Sequence, residues 1–195
     1  MSGPVTLTTD FGLGDPTVAI MKGVMLSIKP DLKIIDVTHE IPPQDITRAA
    51  LCISRFRDYF PEGAIHVAVV DPGVGSNRDA VIVKTGRYFY IGPNNGLFSV
   101  LDSDVEKIVK IENPDYLMAS ISVTFHGRDI FAPVAAHLAS KVPMEEFGNS
   151  VEKLEKIDLP YPVLNNSGEL LGEITYFDNF GNAFTSITDE HLRMA

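Results

Sequence analysis

Apolar and polar positions fall into short blocks along this chain, and their period changes from block to block. Residues 5–9 (VTLTT) form a β-prone run that ends in Asp10-Phe11-Gly12. Asp15-Pro16 reads as a helix start, with Asp at the N-cap and Pro in the first turn, and predicts a helix over 17–29 that stops before Pro30. Positions 32–37 predict a second strand. Asp45 can cap a helix over 46–59, where Ile46, Ala49, Ala50, Ile53 and Phe56 share one face. The run 64–70 is almost wholly apolar, the pattern of a strand covered on both sides, and Asp71-Pro72-Gly73 ends it. Strands at 80–84 and 88–92 are joined by Thr85-Gly86-Arg87 as a hairpin. Asn94-Asn95-Gly96 opens a short helix reaching Leu101, and 106–111 is a further strand. Residues 113–123 fit neither period. A helix is predicted over 127–141, with Pro133 in its first turns.

Strand–helix alternation this regular predicts an α/β domain over residues 1–158, with a mainly parallel sheet flanked by helices. Ligands of such sheets bind beyond the carboxyl ends of the strands. Asp10 and Asp71 both follow predicted strands and are expected on one rim. The texture changes past Gly148. Leu159-Pro160-Tyr161-Pro162 reads as a linker, and 169–176 and 183–188 flank the turn Asp178-Asn179-Phe180-Gly181-Asn182 as a β-hairpin. Two strands do not make an independently stable β domain. Residues 159–195 are therefore expected to be a linker and the start of a smaller, truncated β domain.

Composition narrows the function. The 195 residues are 45% hydrophobic, enough for a packed core. With 16 Lys and Arg against 26 Asp and Glu, the formal charge is −10, which argues against a nucleic-acid surface and suits a small cationic or zwitterionic ligand. Cys52 is the single cysteine, so no intrachain disulfide forms; it lies in an apolar run and is expected in the core. The start carries no signal-peptide pattern and no apolar run approaches a membrane span, so a soluble, cytoplasmic protein with no membrane partner is expected.

Two segments carry chemistry: VDPGVGSNRDAV at 70–81 and TFHGRDIFAP at 124–133. Together they offer Asp71, Arg78 and His126: an acid, a fixed cation and a group that titrates near neutrality. Singly, each has a plain structural role, Asp71 as a turn former, Arg78 as a solvated loop residue and His126 as a core histidine. A helix N-terminus at His126 would favour neutral imidazole. The glycine pairs at 12 and 14 and at 73 and 75 lack the rest of a dinucleotide or phosphate-loop fingerprint, and read as turns that let backbone approach a ligand. Asp10, at a strand end, can bind ribose hydroxyls; Asp15 either joins it or caps the helix. His39-Glu40 reads as an ordinary loop. His126 and Asp129, three residues apart, face one way on a helix and can hold a metal.

The segments TLTTDFGLGD, IDVTHEIPPQDI, VAVVDPGVGSNRDAV, YIGPNNGLFS, TFHGRDIFAPVAAHLA and YFDNFGN, in this order, resemble the S-adenosylmethionine (SAM) hydroxide adenosyltransferases, adenosine-forming SAM hydrolases akin to the SAM-dependent fluorinase and chlorinase. The resemblance spans essentially the whole chain. It implies an N-terminal α/β domain with a smaller C-terminal β-barrel, and a homotrimer with SAM held between the N-domain of one subunit and the C-domain of its neighbour. It matches Asp71, Arg78 and His126 to a water-activating triad and Asp10 to the carboxylate that grips the ribose. Asp15 and Asn95 match positions around the substrate, and Asp178, Phe180 and Asn182 match positions near its methionine part. The halogenases replace the acid and the histidine of the triad with uncharged residues; both are kept here, which favours water over halide. The implied reaction is hydrolysis of SAM to adenosine and L-methionine at C5′, with no cofactor and no metal. Members of the family continue past the point where this chain ends. Three other readings stay open: halogenation at the same carbon, metal-dependent hydrolysis through Asp10, His39, Asp71, His126 and Asp129, and SAM or adenosine binding without turnover. Whether Asp71 or His126 takes the proton is also open.

Overall fold

The computed structural model describes residues 3–194, and the chain divides into two units, Met1–Ile157 and Asp158–Ala195. In the first unit the elements follow in the order β1 (Val5–Thr9), α1 (Thr17–Ile28), β2 (Ile34–Thr38), α2 (Ile46–Phe56), β3 (Ile65–Val69), β4 (Ala80–Thr85), β5 (Phe89–Pro93), β6 (Val105–Lys110) and α3 (Ala132–Ala139). The strands form one sheet in the order β2-β1-β3-β5-β4-β6. Its first four are parallel neighbours, and β4 lies antiparallel between β5 and β6. The expected mainly parallel sheet flanked by helices is what forms.

Strand periodicity sorts the core into two layers. Ile65, Val67 and Val69 of β3 face one cluster, where Met21 and Met25 of α1 and Val134 and Ala135 of α3 cover the sheet. Ala64, Ala68 and Val70 face the other, built on Ala49 and Ile53 of α2 with Leu97 and Phe98. Helices α1 and α3 pack together on the first side. The fully apolar reading of β3 follows from this double coverage. Cys52 is partly buried against the second cluster, and burial pushes its thiol pKa up.

Several helix boundaries differ from those the sequence predicts. Asp15 does not cap α1. Pro16 occupies the N-cap position, one residue later than expected, so the Asp15 carboxylate lies one position too early and stays exposed. Asp45 does cap α2, accepting from the Arg48 N–H at 2.8 Å. The turn after Asn94 becomes a 3₁₀ helix only at Ser99–Asp104. The helix predicted over 127–141 is split into a π-turn, Gly127–Phe131, and the shorter α3, with Pro133 in its first turn. No helix among the described residues is long and apolar enough to cross a membrane.

The second unit holds β7 (Val163–Leu164) paired with β8 (Leu170–Leu171), β9 (Ile174–Phe177) paired with β10 (Ala183–Thr185), and α4 (Asp189–Met194), which the sequence pattern did not suggest. Both pairs are antiparallel, and no closed barrel forms among the described residues.

One buried group makes the fold acid-sensitive. His66 of β3 is almost inaccessible, its Nδ1 sits 2.8 Å from the Thr6 hydroxyl, and the rings of Phe56, Phe60, Tyr88 and Tyr90 surround it at 5.1 to 5.5 Å. Burial, helped by the Arg57 cation, lowers its pKa from 6.5 to about 4. The unfolded imidazole takes up a proton as pH falls through 6.5, and the folded one only near 4. Stability is thus whole above pH 6.5 and is lost progressively down to about 4, by about 3 kcal/mol from this group. Urea melts at about pH 7.5 and 4.5 should show a smaller acid loss for His66→Phe than for the parent; an equal loss would exclude His66 as the source.

Candidate active site

The reversal of strand order in the parallel part of the sheet lies between β1 and β3, where such sheets open a crevice at their carboxyl ends. Thr9 pairs with Val69, so Asp10 and Asp71 leave adjacent strand ends on the same rim. Beyond Asp71 the chain turns tightly, with Val74 N–H bonded to the Asp71 carbonyl and Ser76 N–H to the Gly73 carbonyl. Gly75 has φ +78°, and a Cβ there would meet the Val123 carbonyl oxygen at 2.4 Å. Only glycine lets this turn seat on segment 122–124, which precedes His126.

The turn returns Arg78 to Asp71. Arg78 Nε donates to both carboxylate oxygens, at 3.0 and 2.9 Å, and Nη2 donates to Oδ2 as well. The same Nη2 reaches His126 Nδ1 at 2.7 Å, and the guanidinium lies 5.5 Å over the Phe131 ring. The Asp71 and Arg78 side chains are only 5% and 10% exposed. Arg78 offers no acceptor at this contact and does not give up its proton, so Nδ1 is the acceptor and the neutral ring carries its hydrogen on Nε2. The His126 pKa is lowered, first by burial and then by the Arg78 cation, with Asp71 and Asp129 pulling the other way. His126 also stands at the N-cap position of the π-turn Gly127–Phe131, the helix start the sequence predicts. An open pocket of about 380 Å³ lies beside Arg78 and His126. A larger one of about 610 Å³ touches Ile65 and Phe89, the first residues of β3 and β5, and so lies at the opposite end of the strands.

The other candidates divide into three groups. Asp10 Oδ2 accepts the Gln44 N–H at 2.8 Å, which leaves Oδ1 without a protein partner among the described residues. Asn95 is committed to backbone: Nδ2 donates to the Val70 carbonyl at 3.0 Å and Oδ1 accepts from Leu97 N–H, so it braces the residue before Asp71. Asp15 makes no cap and lies exposed on the loop before α1. Asp178, Phe180 and Asn182 share a turn in the second unit. There Asp178 Oδ1 accepts the backbone N–H groups of Phe180 and Asn182, Oδ2 accepts Asn182 Nδ2, and Phe180 stands 92% exposed. These bonds, that from the Asn182 side chain first, lower the Asp178 pKa.

Two readings from spacing alone do not survive. Asp129 is buried and both its oxygens are taken, by Arg128 and by the Ser122 N–H, so it offers no metal-binding face with His126. His39 is no ordinary loop residue: it is buried, with Nδ1 on the Thr9 hydroxyl at 2.9 Å and Nε2 facing Asp36 Oδ1 at 3.0 Å. No cluster of three or more metal-capable side chains occurs among the described residues. Sequence reasoning missed Phe131. Five residues past His126 is about a turn and a half of α-helix but close to one turn of a π-turn, so the signal was hidden by the assumed period.

The sequence profile of the SAM hydroxide adenosyltransferase N-terminal domain matches residues 5–148. A (R)-S-adenosyl-L-methionine hydrolase of Salinispora arenicola is 42% identical over 190 residues, covering 94% of this chain and 72% of the relative. A fluorinase of Actinopolyspora mzabensis is more distant, at 28% identity over 98% of this chain and 73% of its own. The crystal structure of an uncharacterized conserved protein from Thermotoga maritima superposes with a TM-score of 0.93 at 36% identity, over 97% of this chain and 74% of that one.

The shared Arg78 Nη2 nitrogen predicts an electrostatic signature. Removing the Arg78 cation leaves His126 facing carboxylates alone, so Arg78→Met should move the His126 titration, followed by its ring protons in NMR, to higher pH than in the parent. An unchanged midpoint would show that Arg78 does not govern the imidazole.

Proposed function

The chain belongs to the SAM hydroxide adenosyltransferase family, and from that premise we propose that it hydrolyses SAM to adenosine and L-methionine. The observation that carries the reading is the continuous contact Asp71–Arg78–His126 at the carboxyl edge of the sheet. Water oxygen bonds to C5′ as the C5′–S bond breaks, and the bonding pair leaves on sulfur, which becomes the neutral thioether of methionine. The sulfonium is a good leaving group, so the demand falls on the nucleophile and no metal is needed to activate the carbon. Bulk water has a pKa of about 15.7, so a positioned base is worth roughly 10²- to 10⁴-fold.

The hydrogen bonds favour Asp71 as that base. A carboxylate has about four lone-pair sites, and Arg78 fills one on Oδ1 and two on Oδ2, leaving one on Oδ1. His126 Nδ1 is occupied by Arg78, and Nε2–H donates toward the attacking oxygen. Arg78 stabilises the developing hydroxide charge. Asp10, with Oδ1 unfilled, takes the ribose hydroxyls. Retention of both Asp71 and His126, with the greater similarity to the hydrolase, supports water over halide. The proposal extends to a cytoplasmic homotrimer in which Asp178, Phe180 and Asn182 complete a neighbour's site.

Reaction with SAM in oxygen-18 water should place label in the adenosine 5′-hydroxyl; unlabelled adenosine, or no adenosine, would overturn the reading. Asp71→Asn should lower the rate of adenosine release by roughly 10²-fold or more, whereas His126→Gln, which keeps an N–H donor, should retain more activity. The reverse order would make His126 the base. Asp10→Ala should weaken SAM binding by calorimetry in an Asp71→Asn background, where turnover does not interfere.

A further inference from the structure

We propose that Asp129, clamped by Arg128, is a positioning residue that locks the segment before His126 and so fixes where the imidazole meets Arg78. Asp129 is 1% exposed, yet none of its contacts is to Asp71 or Arg78. Its carboxylate instead joins two pieces of chain. Oδ1 accepts Arg128 Nε at 2.6 Å; Oδ2 accepts Arg128 Nη2 at 2.9 Å and the Ser122 backbone N–H at 2.8 Å. Its carbonyl accepts the Met118 N–H at 3.0 Å. A segment with almost no regular structure, 117–125, is thus tied at two points to the π-turn that follows it.

His126 stands at the junction. The π-turn is closed by the Ala132 N–H reaching the Gly127 carbonyl, and such wide turns are rare and concentrate at functional sites. The clamp also reaches toward Asp10. The Arg128 guanidinium lies 5.0 Å over the Phe125 ring, Phe125 meets Phe11 edge-to-face at 6.1 Å, and Gly127 packs against Phe11 and Met21 too closely for a Cβ to fit freely. The Asp10 turn and the His126 turn are therefore seated on one another through Phe11 and Phe125. The charged groups acting on His126 are Arg78, Asp71 and Asp129, so the clamp also sets part of its local field.

The proposal rests on the hydrolytic reading above, and its test separates the two. Asp129→Asn keeps size and removes the charge; Arg128→Lys keeps the charge and removes the two-pronged bond. In folded protein each should lower kcat for adenosine release, up to about 100-fold as expected for a displaced reacting group, while KM for SAM stays within about twofold. In the substrate-free protein, NMR should show the His126 ring signals displaced in both variants, with a titration midpoint lower in Asp129→Asn than in the parent. Wild-type kcat together with unmoved His126 signals in either folded variant would overturn the positioning role. Should the parent fail to hydrolyse SAM, the His126 signals still decide the question. Should Asp129→Asn fail to fold, Arg128→Lys carries the same test.

Discussion

One guanidinium has to serve two acceptors, and the site is arranged around that constraint. Arg78 is nearly sequestered with Asp71, and the two are bound through three N–H···O contacts. The stability of such a pair is small on balance, because desolvating both charges offsets most of their attraction. Its consequence is geometric. The nitrogen that completes the clasp on Asp71, Nη2, also meets His126 Nδ1 with its second N–H, so the carboxylate, the cation and the ring tautomer are set by a single placement. Protonating Nδ1 would turn two donors on each other, which is why the imidazole prefers to stay neutral.

That placement depends on close backbone approach more than on side-chain packing. The turn from Asp71 to Arg78 lies against segment 122–124, at a separation a methyl group would prevent at Gly75. Asn95 supports the same turn from below by holding the Val70 carbonyl. On the neighbouring strand end, the Thr9–His39 contact and the Gln44 N–H hold the Asp10 turn. A rim of short turns, each tied to its neighbour by a few polar bonds, sits on a sheet whose two faces are covered mainly by apolar clusters. Rigidity comes from the sheet, and the chemistry is confined to its edge.

The candidate carboxylates differ in what they leave unfilled. Asp10 keeps one oxygen open, whereas Asp71, Asp129 and Asp178 each have three of their roughly four lone-pair sites filled. A carboxylate can bind a ligand only through the sites its own fold leaves free. The partners separate the last three: Asp178 bonds the turn that presents Phe180, Asp129 ties Arg128 to the Ser122 N–H in the framework of the His126 turn, and Asp71 alone is held by the cation that also meets His126.

Local signals were legible without coordinates. The strands β1 to β6, the Asp45 cap, the β4–β5 hairpin and the placing of Asp10 and Asp71 on one rim all follow from periodicity and turn chemistry acting over a few residues, whereas the strand predicted over 169–176 is split between β8 and β9, which pair with different partners. The motif segments likewise pointed to Asp71, Arg78 and His126 before any distance was known. The failures share one cause. Asp15 was misread because a one-residue shift in a helix start moves a cap out of reach, and Phe131 because a π-turn departs from the α period. Asp129 and His39 carried the residue types of a metal site, yet their partners Ser122, Thr9 and Asp36 come from other loops and strands. The chain's residues alone determined which groups were available and which strand ends would carry them. Only the tertiary fold decided that Arg78 meets His126, 48 positions away, through the same nitrogen that holds Asp71, because hydrogen-bond partnership depends on distances of a few tenths of an ångström that no local pattern encodes.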